Sequence, residues 1–194
     1  MSMRGRASQV TDLGDGTVLR VGGDPEREAR LMELARTHGV RVPRVVQVRP
    51  DALVLERIDG GTMAARLLRR PWEVARQVGV LVALHDQVHR VPLDGAMLVH
   101  RDLHPENVLL APDGPALIDW TNAGPGDPAM DLALTWLILE TSAGIPGRVL
   151  AWLFRRRAGA ERIRRGLEVA RAYRLADPNV TDAERRRVLA ARKP

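Results

Sequence analysis

Short apolar runs separated by turn residues open the chain and predict a small antiparallel sheet. The β-branched and apolar run 17–21 follows a turn at Gly14–Asp15–Gly16 and predicts the second strand of a hairpin whose first strand is very short. Runs 45–48 and 53–55 flank Pro50–Asp51 and predict a second hairpin. The first third of the chain is therefore predicted to contain mainly strands.

Apolar residues at helical spacing separate the two hairpins and then dominate the rest of the chain. Asp24 and Pro25 supply an N-cap and a first-turn proline, and Gly39 closes this first helix. The pattern becomes mostly helical after Gly60–Gly61, where we place a boundary between two lobes. Further helices are predicted over 62–70, 71 to about 89, 127 to about 141, about 146–158 and 160–176, and a capping box at Thr181–Glu184 opens the last one.

Composition narrows the class of protein. A chain of 194 residues with 45% hydrophobic content is long enough for one domain or two small lobes around a core. The absence of cysteine excludes disulfides and thiolate metal sites. The start of the chain has no signal-peptide pattern, and the longest apolar run, near 132–139, is too short to span a bilayer. These features predict a soluble, cytoplasmic protein without a membrane partner.

The net charge of +6 belongs to the end of the chain. Residues 148–194 hold 14 basic and 5 acidic side chains, whereas residues 1–147 are slightly acidic. Arginine clusters could contact RNA or acidic lipids, but aromatic residues for base stacking make up only 3% of the chain. We therefore favour a solvated helix face and disfavour a nucleic acid partner. An RNA- or membrane-associated protein stays open as an alternative class.

The chemistry is concentrated between His100 and Asn107. This run matches the kinase catalytic-loop pattern H-R-D-L-x-x-x-N at every fixed position. Phosphoryl transfer needs a carboxylate that orients the attacking hydroxyl and accepts its proton, and it needs ligands for the metal that neutralises the triphosphate. Asp102 suits the first role and Asn107 the second. The alternative is that Asp102 only caps a turn.

A second metal ligand follows on a predicted hairpin. Strands 107–110 and 116–119 are joined through Pro112–Asp113–Gly114, a good turn sequence. Folding the chain about this turn places residue 107 opposite about residue 118, so Asn107 and Asp119 emerge at the same open end. Two oxygen ligands together with substrate phosphates suit Mg²⁺, which keeps several of its waters.

Three motifs give the chain a resemblance to the aminoglycoside phosphotransferase and choline kinase-like family, over about residues 5–140. The resemblance implies an α+β, bilobal, protein kinase-like fold with a reduced antiparallel sheet lobe and a mainly helical second lobe. It also implies Asp102 as catalytic base, Asn107 and Asp119 as metal ligands, and Asp131 as a brace for the catalytic loop. The motifs are the run 100–107, the run Leu117-Ile118-Asp119-Trp120 and the run Gly126-Asp127-Pro128-Ala129-Met130-Asp131.

The same resemblance implies two lobes and a nucleotide between them. Residues 1–59 would form the nucleotide-binding lobe and residues 60–194 the helical catalytic lobe. The adenine edge would lie against the backbone of the connecting segment 55–58, which makes Glu56 and Ile58 the expected contacts. The cofactors implied are ATP and Mg²⁺.

The chain departs from the kinase pattern at the phosphate-binding position. Its single lysine is Lys193, so the usual phosphate-binding lysine is replaced by Arg20, with Glu28 as the expected helix partner. Arginine keeps the charge, but its planar head is bulkier and the exchange is not conservative. Residues Gly5 to Ser8 would be all that remains of the phosphate-covering loop.

We therefore predict an ATP-dependent phosphotransferase that moves the γ-phosphate to a hydroxyl of a small molecule. Only seven residues separate Asp119 from Asp127, which leaves no room for the activation loop of a protein kinase. The rival hypothesis is a nucleotide-binding module or pseudokinase with weak activity. A zinc site at His85 and His89 is disfavoured because the glutamate and third ligand of that chemistry are missing. The acceptor stays open among antibiotics, sugars, amino alcohols and nucleosides.

Overall fold

The first part of the chain forms a five-stranded antiparallel sheet. The computed structural model describes residues 2–4, 9–142, 144–178 and 180–191. Strand order in the sheet is β1-β2-β3-β5-β4, with every neighbouring pair antiparallel. Both predicted hairpins are therefore confirmed, and an additional strand, β1, lies at the edge. The strands are β1 (Ser2–Arg4), β2 (Gln9–Asp12), β3 (Thr17–Val21), β4 (Val45–Arg49) and β5 (Ala52–Glu56).

Helix α1 (Pro25–Thr37) crosses between the hairpins as predicted. The Asp24 side chain accepts a hydrogen bond from the Arg27 amide, so it caps the helix. Gly39 follows the last turn with φ +83°, a conformation that glycine adopts without a steric penalty. The buried face of the helix, which includes Met32 and Ala35, packs into the main core.

Two three-stranded sheets of very short strands lie in the second part of the chain. One has the order β10-β9-β6 and the other β11-β8-β7. Only the β9–β10 hairpin was predicted. The other strands have two to four residues each, too few to show an alternating pattern in sequence. The strands are β6 (Gly61–Thr62), β7 (Pro92–Leu93), β8 (Ala96–Val99), β9 (Val108–Ala111), β10 (Gly114–Leu117) and β11 (Gly124–Gly126).

Six helices complete the described chain. The predicted helix over 71–89 is wrong in its first turn, because Pro71–Glu73 forms a 3₁₀ turn before the α-helix begins. At Thr181 the side chain accepts from the Glu184 amide, which is one of the two hydrogen bonds of the predicted capping box. The helices are α2 (Met63–Arg69), α3 (Val74–Val88), α4 (Pro128–Ser142), α5 (Gly144–Ala158), α6 (Ala160–Ala176) and α7 (Asp182–Ala190).

Helix α4 is the centre of the helical part. It packs against α5, α6 and α7, and residues 132–139 are all buried. Gly166 permits the close approach of α6, because a β-carbon there would collide with the Ala129 carbonyl. Within the described ranges, no helix combines the length and apolar character needed to cross a bilayer.

Candidate active site

The catalytic loop begins directly after β8, and helix α4 holds it through hydrogen bonds to two of its backbone amides. Both oxygens of the Asp131 carboxylate accept backbone amides, Oδ2 from His100 at 3.2 Å and Oδ1 from Arg101 at 2.7 Å. Arg101 itself has φ +63°, a conformation that non-glycine residues adopt only where the surroundings impose it. The expected role of Asp131 as a brace for this loop is therefore confirmed.

His85 of α3 and His89, the C-cap residue of that helix, complete the surroundings of Asp131. The His89 Nε2 lies 2.8 Å and the His85 Nδ1 3.3 Å from Oδ2 of Asp131, in a fully buried environment. Burial alone would raise the pKa of Asp131, but the two imidazoles hold it well below the usual range. Burial disfavours the charged form of His85 as well, and because that form is the protonated one, the pKa of His85 is lowered. Both carboxylate oxygens accept backbone amides, so these groups form a buried network that supports the loop. The structure corrects one premise of the sequence argument against a zinc site: Asp131 supplies a third ligand atom, and the ligand atoms of His85, His89 and Asp131 all lie within 4.8 Å of one another.

Asp102 lies in the catalytic loop with about a quarter of its side chain exposed. The His104 Nε2 lies 3.6 Å from Oδ1 of Asp102. Burial raises the pKa of Asp102, but the His104 imidazole outweighs this effect, so the pKa lies below its ordinary value. The carboxylate is therefore ionised at neutral pH and able to accept a proton or a hydrogen bond from a hydroxyl.

The β9–β10 hairpin sets the positions of the two predicted metal ligands. Leu117 pairs with Val108, and the Ile118 amide donates to the Asn107 carbonyl at 3.0 Å. The predicted register, with residue 107 opposite 118, is therefore confirmed. Asp119 follows directly and has φ +62°, so the chain turns sharply at the second predicted metal ligand.

The oxygens of Asn107 and Asp119 are suited to a hard cation. The Asn107 Nδ2 donates to the Asp102 carbonyl at 2.8 Å, which fixes the amide plane and leaves its Oδ1 without a partner among the described residues. Thr121 Oγ1 donates to Oδ1 of Asp119 at 2.7 Å, whereas Oδ2 accepts no hydrogen bond from the described chain. One amide and one carboxylate oxygen thus remain available, and Mg²⁺ binds through such ligands.

Arg20 and Glu28 form the ion pair expected from the sequence. The Arg20 Nη1 lies 2.6 Å from Oε2 of Glu28, and both side chains are buried. Burial raises the pKa of Glu28 to about 7, an effect that Arg20 opposes and Asp119 reinforces. The other arm of the guanidinium, Nη2, donates to Thr121 Oγ1 and lies 3.5 Å from Oδ1 of Asp119. Arg20 therefore connects the sheet, helix α1 and the segment after β10.

The segment predicted to contact adenine, 55–58, begins with the last two residues of β5. The Glu56 carboxylate accepts the Arg44 amide at 3.0 Å and lies 3.5 Å from Arg41 Nη2, so the side chain is already engaged. The Glu56 amide also donates to the Arg44 carbonyl. Ile58 is half-buried, and its backbone makes no hydrogen bond within the described residues. The proposed phosphate-covering residues Gly5 to Ser8 lie outside the described residues.

Two residues of this site were not singled out from the sequence. Thr121 bonds both Arg20 and Asp119, and Arg27 of α1 donates to the carbonyls of Thr121 and Ala123. The position of Thr121 two residues after Asp119 was a signal that could have been used. Arg27 gave no such signal, because its partners are more than ninety residues away.

Comparisons with curated proteins give partial matches, two of which are to proteins named as kinases. A probable bifunctional tRNA threonylcarbamoyladenosine biosynthesis protein of Methanosarcina barkeri is 37% identical over 93 residues, which are 48% of this chain and 15% of that protein. A probable serine/threonine-protein kinase BUD32 homolog of Archaeoglobus fulgidus is 33% identical over 84 residues, 43% of this chain and 37% of that protein. Thiamine kinase of Salmonella newport is 46% identical over 39 residues, 20% and 14% of the two chains. The matched regions therefore span well under half of these relatives.

Solved structures agree with the fold over nearly the whole chain. A thermostable mutant of aminoglycoside phosphotransferase APH(4)-Ia superposes with a TM-score of 0.72 at 18% identity, covering 98% of this chain and 92% of that one. A related complex of that enzyme contains ADP and hygromycin B. Plasmodium vivax ethanolamine kinase gives 0.66 at 10% identity, covering 98% and 80%. At such identities the likeness establishes the α+β protein kinase-like fold.

The family follows from a longer sequence match. The model of the phosphotransferase enzyme family APH matches residues 63–177, more than half of the chain and including the catalytic loop, the β9–β10 hairpin and helix α4. The chain therefore belongs to the phosphotransferase enzyme family.

Proposed function

We propose that this protein transfers the γ-phosphate of ATP to a hydroxyl group of a small molecule, with Asp102 as the base. One observation carries the proposal: Asn107 Nδ2 donates to the carbonyl of Asp102 at 2.8 Å and to its carboxylate at 3.3 Å, so the amide is fixed beside Asp102 with its oxygen free. A turn-capping aspartate would have no need of such an arrangement. Membership of the phosphotransferase family and the superposition on an enzyme that holds ADP support it.

In this proposal Asp102 orients the acceptor hydroxyl and accepts its proton as the oxygen bonds to the γ-phosphorus; the bond from that phosphorus to the β–γ bridging oxygen breaks, and ADP leaves. The lowered pKa keeps Asp102 ionised, and the His104 imidazole limits its rotation. Asp131 keeps the loop amides in place and does not itself react. Positioning and charge stabilisation then account for most of the catalysis, as phosphoryl transfer requires.

Asn107 and Asp119 would hold Mg²⁺ through their unpartnered oxygens. When bound, this ion neutralises charge on the triphosphate. Arg20 would bind the phosphates in place of the usual lysine, with Glu28 fixing its orientation. The free backbone of Ile58 would contact the adenine edge, whereas Glu56 would contribute only through its main-chain carbonyl, because its side chain and its amide are bound to segment 41–44. Residues 1–59 and 60–194 would then act as nucleotide-binding and catalytic lobes.

The test is turnover with Asp102→Ala and Asp102→Asn across a panel of amino alcohols, sugars and nucleosides. We expect kcat to fall about 10²- to 10⁴-fold in both variants, because proton transfer by a positioned carboxylate contributes on that scale. Mg·ATP affinity, measured by calorimetry, should change little. The control is Asp113→Asn at the hairpin turn, which should keep wild-type turnover.

A nucleotide-binding module with little activity is the second candidate, favoured by the contact of Arg20 with Asp119. A guanidinium at this place competes with a cation for the carboxylate. Wild-type turnover at the level of Asp102→Ala with every acceptor, together with tight Mg·ATP binding, would establish this second candidate and exclude the first.

A further inference from the structure

Two arginines from different parts of the chain converge on Gly124. Arg27 comes from α1 and Arg101 from the catalytic loop. A β-carbon on Gly124 would lie 2.9 Å from Nη2 of Arg27 and 3.1 Å from Nη1 of Arg101. Both guanidinium groups therefore occupy the space that a side chain at residue 124 would fill, next to the segment that carries Asp119.

Neither arginine has an acidic partner in the described part of the chain. Arg27 donates to the carbonyls of Thr121 and Ala123, and Arg101 donates to those of Asn122 and Pro125. The other arginines of this region differ in this respect: Arg20 is paired with Glu28, and Arg174 with Glu184. Two adjacent positive charges thus lack the counter-charge that the rest of the site provides.

The geometry leaves hydrogen-bond donors for a ligand. A guanidinium has five N–H groups, and each of these two uses two nitrogen atoms on carbonyls. Both side chains are half-buried, so an anion could reach them. The carbonyl contacts and the ring of Tyr173, 5.9 Å from the Arg101 guanidinium, hold the two groups in place. Fixed guanidinium forks of this kind bind phosphate groups in two-pronged fashion.

We propose that Arg27 and Arg101 form an anion-binding site for a phosphate-type group, next to the reaction centre. The anion is either a phosphate carried by the acceptor or a free phosphate compound that closes α1 onto the catalytic loop. The first source rests on the proposed function, because it requires a hydroxyl acceptor at Asp102; the second does not. Arg101 is the residue directly before Asp102 in the catalytic loop, which places the proposed site beside the proposed base.

Inorganic phosphate is the probe, titrated by calorimetry into the full chain with Mg²⁺ and the ATP analogue AMP-PNP at saturation. The analogue occupies the nucleotide site, and its own binding, measured first, reports on the proposed function separately. We expect wild type to bind phosphate and Arg27→Met and Arg101→Met each to weaken binding at least tenfold. Arg30→Met, an exposed position on the same helix, is the matched control and should bind as wild type.

Conservative variants guard against loss of structure. Arg27→Lys and Arg101→Lys keep the charge without the fork, and they should retain partial phosphate binding with an unchanged circular dichroism spectrum. Phosphate that does not bind, or that binds equally to wild type and both methionine variants, overturns the site.

Turnover distinguishes the two sources of the anion. Hydroxyl compounds with and without a phosphate group, such as glycerol 3-phosphate and glycerol, are compared in ATP consumption. A preference for phosphorylated acceptors that disappears in Arg101→Met assigns the anion to the acceptor. Phosphate binding without such a preference assigns it to a free effector.

Discussion

At the scale of single residues, backbone strain coincides with the predicted chemistry. Asp94, Arg101 and Asp119 are the non-glycine residues with positive φ among the described residues, and the last two are in the candidate site. Such conformations cost on the order of 1–3 kcal/mol each and persist where surrounding contacts impose them. The contacts here are the Asp131 carboxylate for Arg101 and Thr121 for Asp119.

Replacing Arg20 by lysine tests why this chain has arginine at the phosphate-binding position. Lysine could retain the pair with Glu28, but one ammonium group cannot also reach Thr121 and Asp119 as the guanidinium does. We expect Arg20→Lys to weaken Mg·ATP binding about tenfold, equivalent to about 1.4 kcal/mol. Calorimetry measures the affinity, with Arg30→Lys as the exposed control. An unchanged affinity would show that only the charge of Arg20 matters.

At the scale of elements, helix α4 positions the catalytic loop through hydrogen bonds to its backbone. Asp131 binds the loop amides, and the Thr135 hydroxyl donates to the Leu103 carbonyl at 2.7 Å while bonding His85 of α3. Two helices and the loop are therefore joined through one buried polar network. Buried hydrogen bonds of this kind add rigidity, here with the Nδ1 atom of His89 left without a hydrogen-bond partner among the described residues.

Asp131→Asn should destabilise the protein and loosen the loop. The Asp131 carboxylate has two acceptor oxygens, which bond two backbone N–H groups and the His89 imidazole. The asparagine side chain has only one acceptor oxygen, so at least one of these buried donors loses its partner. We expect the free energy of unfolding to fall by about 3 kcal/mol, measured by urea denaturation.

Asp127→Asn on the same helix is the matched control for this change. Asp127 accepts the Ala129 amide at the start of α4, and asparagine caps as well as aspartate, so the change should be within about 0.5 kcal/mol. Equal effects of the two substitutions would contradict a special role for Asp131.

At the scale of the whole molecule, the sheet and the helical part are connected by polar contacts of long sequence separation. Arg20 joins β3 to Asp119, Arg27 joins α1 to the segment after it, and the Leu117 amide donates to the Arg41 carbonyl. These contacts converge on the candidate site. A change in the protonation of buried groups in this region should consequently alter the free energy of unfolding of the whole protein.

The buried imidazoles predict loss of stability in mild acid. Burial lowers the pKa values of His85 and His100 below the ordinary 6.5, so below pH 6.5 the unfolded chain takes up protons that the folded chain does not. Stability from these groups is complete above pH 6.5 and declines as the pH falls. Glu28, with its pKa raised to about 7, acts in the opposite sense between pH 4.5 and 7.

The test compares unfolding free energies at pH 7.5 and 5.5 in wild type and His85→Asn. The decrease on acidification should be smaller in the variant by on the order of 1 kcal/mol, because one titrating group has been removed. The exposed His38→Asn serves as control and should retain the wild-type decrease. A variant whose decrease equals that of wild type would show that His85 does not contribute.

Local sequence was sufficient for features that depend on neighbouring residues. The Asp24 and Thr181 caps, the turn at Pro112–Gly114 and the register that pairs Asn107 with Ile118 all involve groups close in the chain. For that reason the catalytic loop and the two oxygen ligands were predicted with their correct elements. Strands such as β7 and β11 were missed, because two or three residues carry no periodicity and are held by pairing with β8.

By itself, the sequence determined which residues could carry the chemistry and which family the chain resembles. Only the tertiary structure decided that Arg20 contacts Asp119 as well as Glu28, that Asp131 serves the loop amides and α3 together, and that Arg27 meets Arg101 over Gly124. Charge and hydrogen-bonding capacity are properties of a residue and can be identified in sequence. Which donor meets which acceptor across as many as 101 residues depends on how the whole chain packs.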